Sequence, residues 1–302
     1  MPVTLLALTL LAPPSYQRVA PAPAIAISVW YAAPMTVDLA MLRDHLARIR
    51  GAGFDAITTT VAWRDAHPRR GAFRLLEMDR VIAAATEAGL SVRVKVLMDA
   101  RPAWDPTDED AGAFFDYLRR RAFLHPVVLT VDAASLNETS PFERIAVGAE
   151  PDAVSPRLAR LRLWTAVARG ARNVGFVGTG NLLTPALLAV GETAGVVTRN
   201  QALFGPLRPR ASAGDASADG GIELRILESE EAMLIVGLNH ADAARNATLR
   251  FSREIPAGTW QNIEEGGAVA FVMGKDGPFL DHTFAPHDVL VLTIRKKLWW
   301  AK

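Results

Sequence analysis

The sequence predicts a parallel α/β domain followed by a smaller antiparallel β domain, and three observations carry that prediction. Between Gly53 and Trp104 an apolar run rich in Thr, Val and Ile gives way to a helical pattern and then to a second apolar run. Each is bounded by turn residues, which is the pattern of one βαβ unit with parallel strands. Strand-like and helix-like runs continue to alternate on both sides of this unit, as far as Phe204. Beyond residues 210–221, a small-residue linker, the pattern changes to short alternating runs separated by Gly, Asn, Asp and Pro.

In chain order, Val3 to Ala12 is an apolar run too short for a bilayer span, which takes about twenty residues. It fits the core of a secretory signal, with small residues for cleavage from Ala20 to Ala24, although no Lys or Arg precedes it. Residues 1–24 are therefore expected to be a signal peptide or a disordered tail. The first reading implies a secreted or periplasmic protein, the second a cytoplasmic one. Ala24 to Tyr31 predicts the first strand. Thr36 or Asp38 then caps a helix to Arg50 that buries Leu39, Leu42, Leu46 and Ile49.

Phe54 to Trp63 predicts the second strand. A helix carrying Leu76, Val81, Ile82 and Ala85 follows, and Gly89 ends it. Leu90 to Met98 is the third strand. The acidic start Asp108-Glu109-Asp110 and the basic end Arg119-Arg120-Arg121 suit the dipole of a helix between them. Pro126 to Asp132 and Glu143 to Ala149 predict two more strands. Ser155 and Pro156 open a helix to Arg169, Asn173 to Thr179 is a sixth strand, and Thr184 to Phe204 is helical. The α/β domain thus spans residues 25–209. Residues 222–302, with the runs IELRIL, AMLIVGL, ATLRF, AVAFVM and DVLVLTI, predict a small antiparallel β-sandwich.

Lys plus Arg number 33 and Asp plus Glu 32, so no charge excess points to nucleic acid or an anionic membrane. The absence of cysteine excludes disulfides, thiolate metal sites and a cysteine nucleophile. His45, His125, His240, His282 and His287 lack paired metal spacing, so no metal is expected.

Several motifs together resemble the glycoside hydrolases of the Glu-pair (β/α)8 barrel clan, above all the beta-galactosidase families 35 and 42. They are Gly53-Phe54-Asp55, Trp63, Pro68-Arg69-Arg70-Gly71-Ala72-Phe73, Met78-Asp79, Ala88-Gly89-Leu90 and Pro102-Ala103-Trp104. Leu163 to Ala171 adds a Leu-Trp-x-Ala-x-Ala-x-Gly-Ala pattern similar to the seventh-to-eighth unit of those barrels. One departure is His67, where the families usually carry an acid before the turn proline. The resemblance implies a (β/α)8 TIM-type barrel. Six strand candidates in about 180 residues, against eight strands and about 250, imply an incomplete one. The shortfall lies between Trp104 and Glu150, and it would leave unpaired edge strands on either side of a gap.

The resemblance also implies retaining hydrolysis of a glycoside with no cofactor, which needs two carboxyl groups. Glu150, directly after the fifth strand, matches the nucleophile's place, and Glu138 after Asn137 matches the acid/base. Trp30, Trp63, Arg64, Asp99, Arg101, Trp104 and Asp132 follow or end strands, where ligands bind in parallel α/β folds. With Asn137 they are the candidate substrate-binding residues. The competing reading is a barrel relative that binds carbohydrate, or serves a structural role, without chemistry.

Overall fold

The computed structural model describes residues 25–31, 38–98, 100–122, 127–132, 142–146, 154–171, 173–177, 184–204, 207–210, 216–255 and 259–296. The α/β part of the chain carries β1 (Ala26–Trp30), α1 (Leu39–Gly51), β2 (Ala56–Ala62), α2 (Trp63–Ala66), α3 (Leu76–Glu87), β3 (Ser91–Leu97), α4 (Asp108–Ala122) and β4 (Val127–Asp132). It continues through β5 (Phe142–Ala146), α5 (Pro156–Ala168), β6 (Asn173–Val177), α6 (Pro185–Arg199) and α7 (Gln201–Phe204).

Its six described strands form one parallel sheet in the order β4-β3-β2-β1-β6-β5. The direction of winding follows from that order. From β1 to β4 the chain steps one way across the sheet, and from β5 through β6 it steps the same way again. Right-handed crossovers repeated in one direction lay their helices on one face. A doubly wound sheet reverses direction at its centre and covers both. Ile27, Val29, Ile57, Val61, Val92, Val94, Val96, Val174 and Phe176 alternate along the strands and share one core with Leu46, Ile49, Val81, Ile82, Trp164 and Val190 of the helices. The sheet is wound singly and carries its helices on this apolar face. Among the described residues β4 and β5 are its two edges.

Local chemistry sets the helix ends. Ser155 Oγ accepts from the Leu158 N–H and Thr184 Oγ1 from the Leu187 N–H, both at 3.2 Å, and a proline follows each cap. Gly53, at φ +103°, turns the chain from α1 into β2 where α6 crosses, and Gly191 of α6 lies against the Ala52 carbonyl. Gln201 finishes this corner: its side chain accepts from the Ile25 N–H at 3.2 Å and donates to the Ile25 carbonyl at 2.7 Å.

The antiparallel part holds β7 (Arg208–Pro209), β8 (Ala216–Ala218), β9 (Glu223–Glu228), β10 (Ala232–Leu238), β11 (Arg245–Phe251), β12 (Thr259–Asn262), β13 (Ala268–Ala270), β14 (Val272–Met273), β15 (Pro278–Phe284) and β16 (Val289–Arg295). They form two antiparallel sheets, β13-β12-β16-β10-β9-β7 and β14-β15-β11-β8. Met233, Ile235, Trp260 and Leu292 of the first sheet share a core with Leu249, Phe251 and Phe284 of the second. Leu234, Val236 and Val291 alternate to the other side of the first sheet and join the core that the parallel sheet shares with its helices.

The strands β12 and β15 were not expected from the sequence, and two further details differ. Trp63 does not end β2 but opens the single helical turn α2. The stretch expected as a linker contributes β8, which pairs with β11, and Arg210, whose N–H donates to the Ile226 carbonyl. Residues 211–215 of that stretch lie outside the described residues.

Candidate functional site

Opposite the helices, the sheet presents a second and polar face. Strand register puts Trp30 beside Thr58, Thr58 beside Arg93, and Thr60 beside Lys95. Ser28, two residues before Trp30, is on the same face, because its Oγ lies 2.8 Å from Thr58 Oγ1. Lys95 Nζ sits 5.3 Å from the centre of the Trp30 ring, a cation–π distance. Ser28, Trp30, Thr58 and Arg93 are all buried. Burial pushes the Arg93 guanidinium below its usual range, and Asp55 opposes that shift. The same register continues outward through Thr130 beside Lys95 and Asp132 beside Leu97 on one side, and Gly175 then Arg144 beyond Ser28 on the other. Trp30, Lys95 and the Asp132 position lie toward the C-terminal ends of their strands, the end at which parallel α/β folds bind ligands.

Around the rim, the Arg64 N–H donates to the Ala100 carbonyl at 2.9 Å and ties the exit of β2 to that of β3. Arg64 and Arg101 are exposed, and Arg64 makes a loose ion pair with Asp65 at 3.7 Å. The two rim tryptophans gather around His67 instead of flanking an open groove. Trp63 is 2% exposed, stacks on Phe114 and donates Nε1–H to His67 Nδ1 at 3.2 Å. Trp104 is half-buried, donates Nε1–H to the His67 carbonyl at 2.9 Å and carries the Arg70 guanidinium over its ring. Trp63 is therefore a core residue, with no ring face open to a sugar, and Trp104 is held by its indole nitrogen.

His67 is the centre of this cluster. Phe73, Trp104 and Phe114 surround its ring with centroids 4.5, 4.9 and 5.9 Å away. Since Nδ1 accepts from Trp63, the neutral ring carries its proton on Nε2, which has no hydrogen-bond partner among the described residues. Burial pushes the His67 pKa down, and the carboxylate of Asp110 opposes this. A neutral aromatic ring thus stands where the sequence resemblance leads one to expect an acid.

Of the other expected site residues, Asp99, Asn137, Glu138 and Glu150 lie outside the described residues, and Asp132 is described by its backbone position alone. Sequence reasoning missed Ser28, Thr58, Thr60, Arg93 and Lys95. Their signal was available: polar residues two apart inside otherwise apolar strands mark one face of a sheet. Among the described residues no group of three or more His, Asp or Glu side chains is arranged to hold a metal ion. No described helix is long and apolar enough to cross a membrane.

No protein-family model and no curated protein matches the chain. Solved structures do. A noncanonic maltogenic α-amylase from Thermotoga neapolitana superposes with a TM-score of 0.58 at 10% identity, over 90% of this chain and 99% of that one. The α-amylase of Geobacillus thermoleovorans gives 0.58 at 9% identity, over 91% and 99%. The α-fucosidase of Thermotoga maritima gives 0.53 at 12% identity, over 83% and 78%. These neighbours are glycoside hydrolases with (β/α)8 barrel folds. At such identities the likeness is one of fold.

Proposed function

We propose that the chain is a beta-galactosidase-like glycoside hydrolase that works by double displacement. The observation that carries this reading is the singly wound sheet, with one face given to helices and the other to Ser28, Trp30, Thr58, Thr60, Arg93 and Lys95. A packed core has no use for so polar a face, whereas a sugar cleft does. On this reading residues 25–209 are a (β/α) barrel short of two strands, and the antiparallel sheets are a small β-sandwich. Residues 1–24 are a signal for export.

Glu138 protonates the glycosidic oxygen as the bond from it to the anomeric carbon breaks. The Glu150 carboxylate attacks that carbon from the other side and forms a glycosyl ester. Water, losing a proton to Glu138, then displaces Glu150 and releases the sugar with its configuration retained. Trp30 offers an apolar ring near the reacting sugar, with Arg64, Asp99, Arg101, Asp132 and Asn137 as partners for hydroxyls. Trp104 contributes its exposed edge.

A panel of aryl glycosides tests the activity, and an activated fluoro-sugar tests the nucleophile. Glu150→Gln preserves shape and removes the attacking charge, so turnover should fall by several orders of magnitude and labelling should vanish. A second reading, a carbohydrate-binding relative without chemistry, is favoured by one observation: β4 and β5 are opposite edges of a six-stranded sheet. Binding of a galactoside with no hydrolysis anywhere in the panel would select it.

A further inference from the structure

The contact between the two domains has a polar centre to which the proposed reaction gives no role. It is built from the turn joining β12 to β13. Asn262 Oδ1 accepts from the backbone N–H groups of Glu264 and Glu265, at 3.1 and 3.2 Å. Gly266 and Gly267, at φ +75° and +90°, return the chain to β13. This turn projects Glu264 out of its own sheet and between α5 and α6. There the carboxylate accepts from Trp164 Nε1–H at 2.8 Å, Arg160 Nε–H at 3.0 Å and Thr193 Oγ1–H at 3.3 Å. Arg160 reaches back across the boundary, donating Nη2–H to the Val289 carbonyl at 2.8 Å and to Asp288 at 3.4 Å. Side chains therefore reach across the boundary from both sides, the helices donating each of these hydrogen bonds and the antiparallel sheets accepting it, around a shared apolar core.

The Glu264 side chain is only 9% exposed. Burial pushes its pKa up, and Arg160, Trp164 and Thr193 pull it back. A buried carboxylate gives up stability relative to a well-packed apolar residue and is best rationalised by the geometry it enforces. That geometry concerns α5 and α6, the two helices joined to the β5 edge of the sheet. α5 starts at Pro156, just after Glu150.

We propose that Glu264 is a positioning residue: it locks the antiparallel domain onto α5 and α6, and so fixes the helix that follows the nucleophile. The antiparallel domain is then part of the active-site scaffold and not an appended module. The catalytic half of this inference rests on the glycosidase reading, and the locking half stands without it.

Hydrogen exchange and kinetics on the full chain separate the two. Glu264→Leu should raise amide exchange in α5 and α6 by about tenfold or more while leaving β2 and β3 unchanged, the signature of local unfolding. With an active enzyme it should lower kcat by about tenfold at a nearly constant KM, because misplacement of a catalytic group costs turnover more than binding. Glu264→Gln keeps an acceptor for Trp164 and should restore most of both. If Glu264→Leu does not fold, Trp164→Phe, which deletes one donor, supplies the exchange measurement. Unchanged exchange in α5 overturns the lock. A fall in kcat with Glu264→Leu that Glu264→Gln does not rescue overturns the positioning role. A wild-type chain without activity sinks the glycosidase reading, and exchange alone then decides the lock.

Discussion

Two glycines four residues apart on α6 should respond in opposite directions to the same substitution. A Cβ built on Gly191 would lie 1.9 Å from the Ala52 carbonyl oxygen and 2.8 Å from its carbon, well inside the 3.4 Å of an ordinary contact. Both atoms are backbone, so no rotamer relieves the clash, and the helix must back away from the α1–β2 turn. Overpacking costs about 1–3 kcal/mol, and a backbone clash belongs at the upper end. Alanine recovers about 1 kcal/mol of helix propensity, leaving Gly191→Ala destabilised by about 2 kcal/mol or somewhat more. At about 2–4 °C per kcal/mol for a chain approaching this size, Tm should drop by about 4–8 °C. At Gly195 the nearest atom is the mobile end of Arg199, 3.3 Å away, and it can swing aside. Gly195→Ala should then keep most of the propensity gain and raise Tm by about 1–3 °C. Thermal melts followed by far-UV circular dichroism decide it. A Gly191→Ala variant that melts with the wild type, or two variants that shift in the same direction, would refute the close approach of α6 to the α1–β2 turn.

His67 should make the chain sensitive to mild acid. Its folded pKa lies below its unfolded value, so its contribution to stability is complete above about pH 6.5 and is lost as pH falls from there through the folded pKa. Urea midpoints should decline across that window in the wild type and stay flatter in His67→Phe, with tryptophan fluorescence reporting Trp63 and Trp104; equal slopes would refute the assignment. A protease that cuts between residues 211 and 215 should leave the two fragments associated through Glu264 and the shared core. Fragments that separate on gel filtration would count against the lock.

Most of the fold was legible because the α/β part of the chain obeys simple rules. The strand at Ser91–Leu97 and the helix at Pro156–Ala168 fall within a residue or two of expectation, since apolar period and cap chemistry agree there. Pro278–Phe284 was missed because Pro278, Asp281 and His282 break the β-propensity signal. Its pairing with β11, which the local sequence does not encode, makes it a strand. The rim was misjudged for a related reason. An aromatic at a strand end suits a sugar or a core equally well, and only the position of His67 turns Trp63 inward. Glu264 gave no signal at all. A glutamate in a Gly-rich turn ordinarily faces solvent, and its burial depends on helices about a hundred residues earlier in the chain.

The strand order makes one demand on the proposed chemistry that no residue identity can satisfy. Glu138 follows β4 in the sequence and Glu150 follows β5, and those two strands are the opposite edges of the described sheet. From β4 to β5 there are five inter-strand steps. At about 4.8 Å each, a flat sheet would hold the edges about 24 Å apart, whereas a retaining pair must close to about 5–5.5 Å. Curvature has to make up the difference. Single winding favours it, because helices on one face let the sheet coil around the other, as it does in a closed barrel. The chain has no cysteine, so paired spin labels can be attached cleanly at Asp132→Cys and Ala146→Cys, the last residues of the two edge strands. Double electron–electron resonance should then give a separation well below the flat-sheet value of about 24 Å. A distance at or above that value would mean that the two edge strands stay apart, as in an open sheet. That result would count against double displacement by this pair and in favour of binding without chemistry.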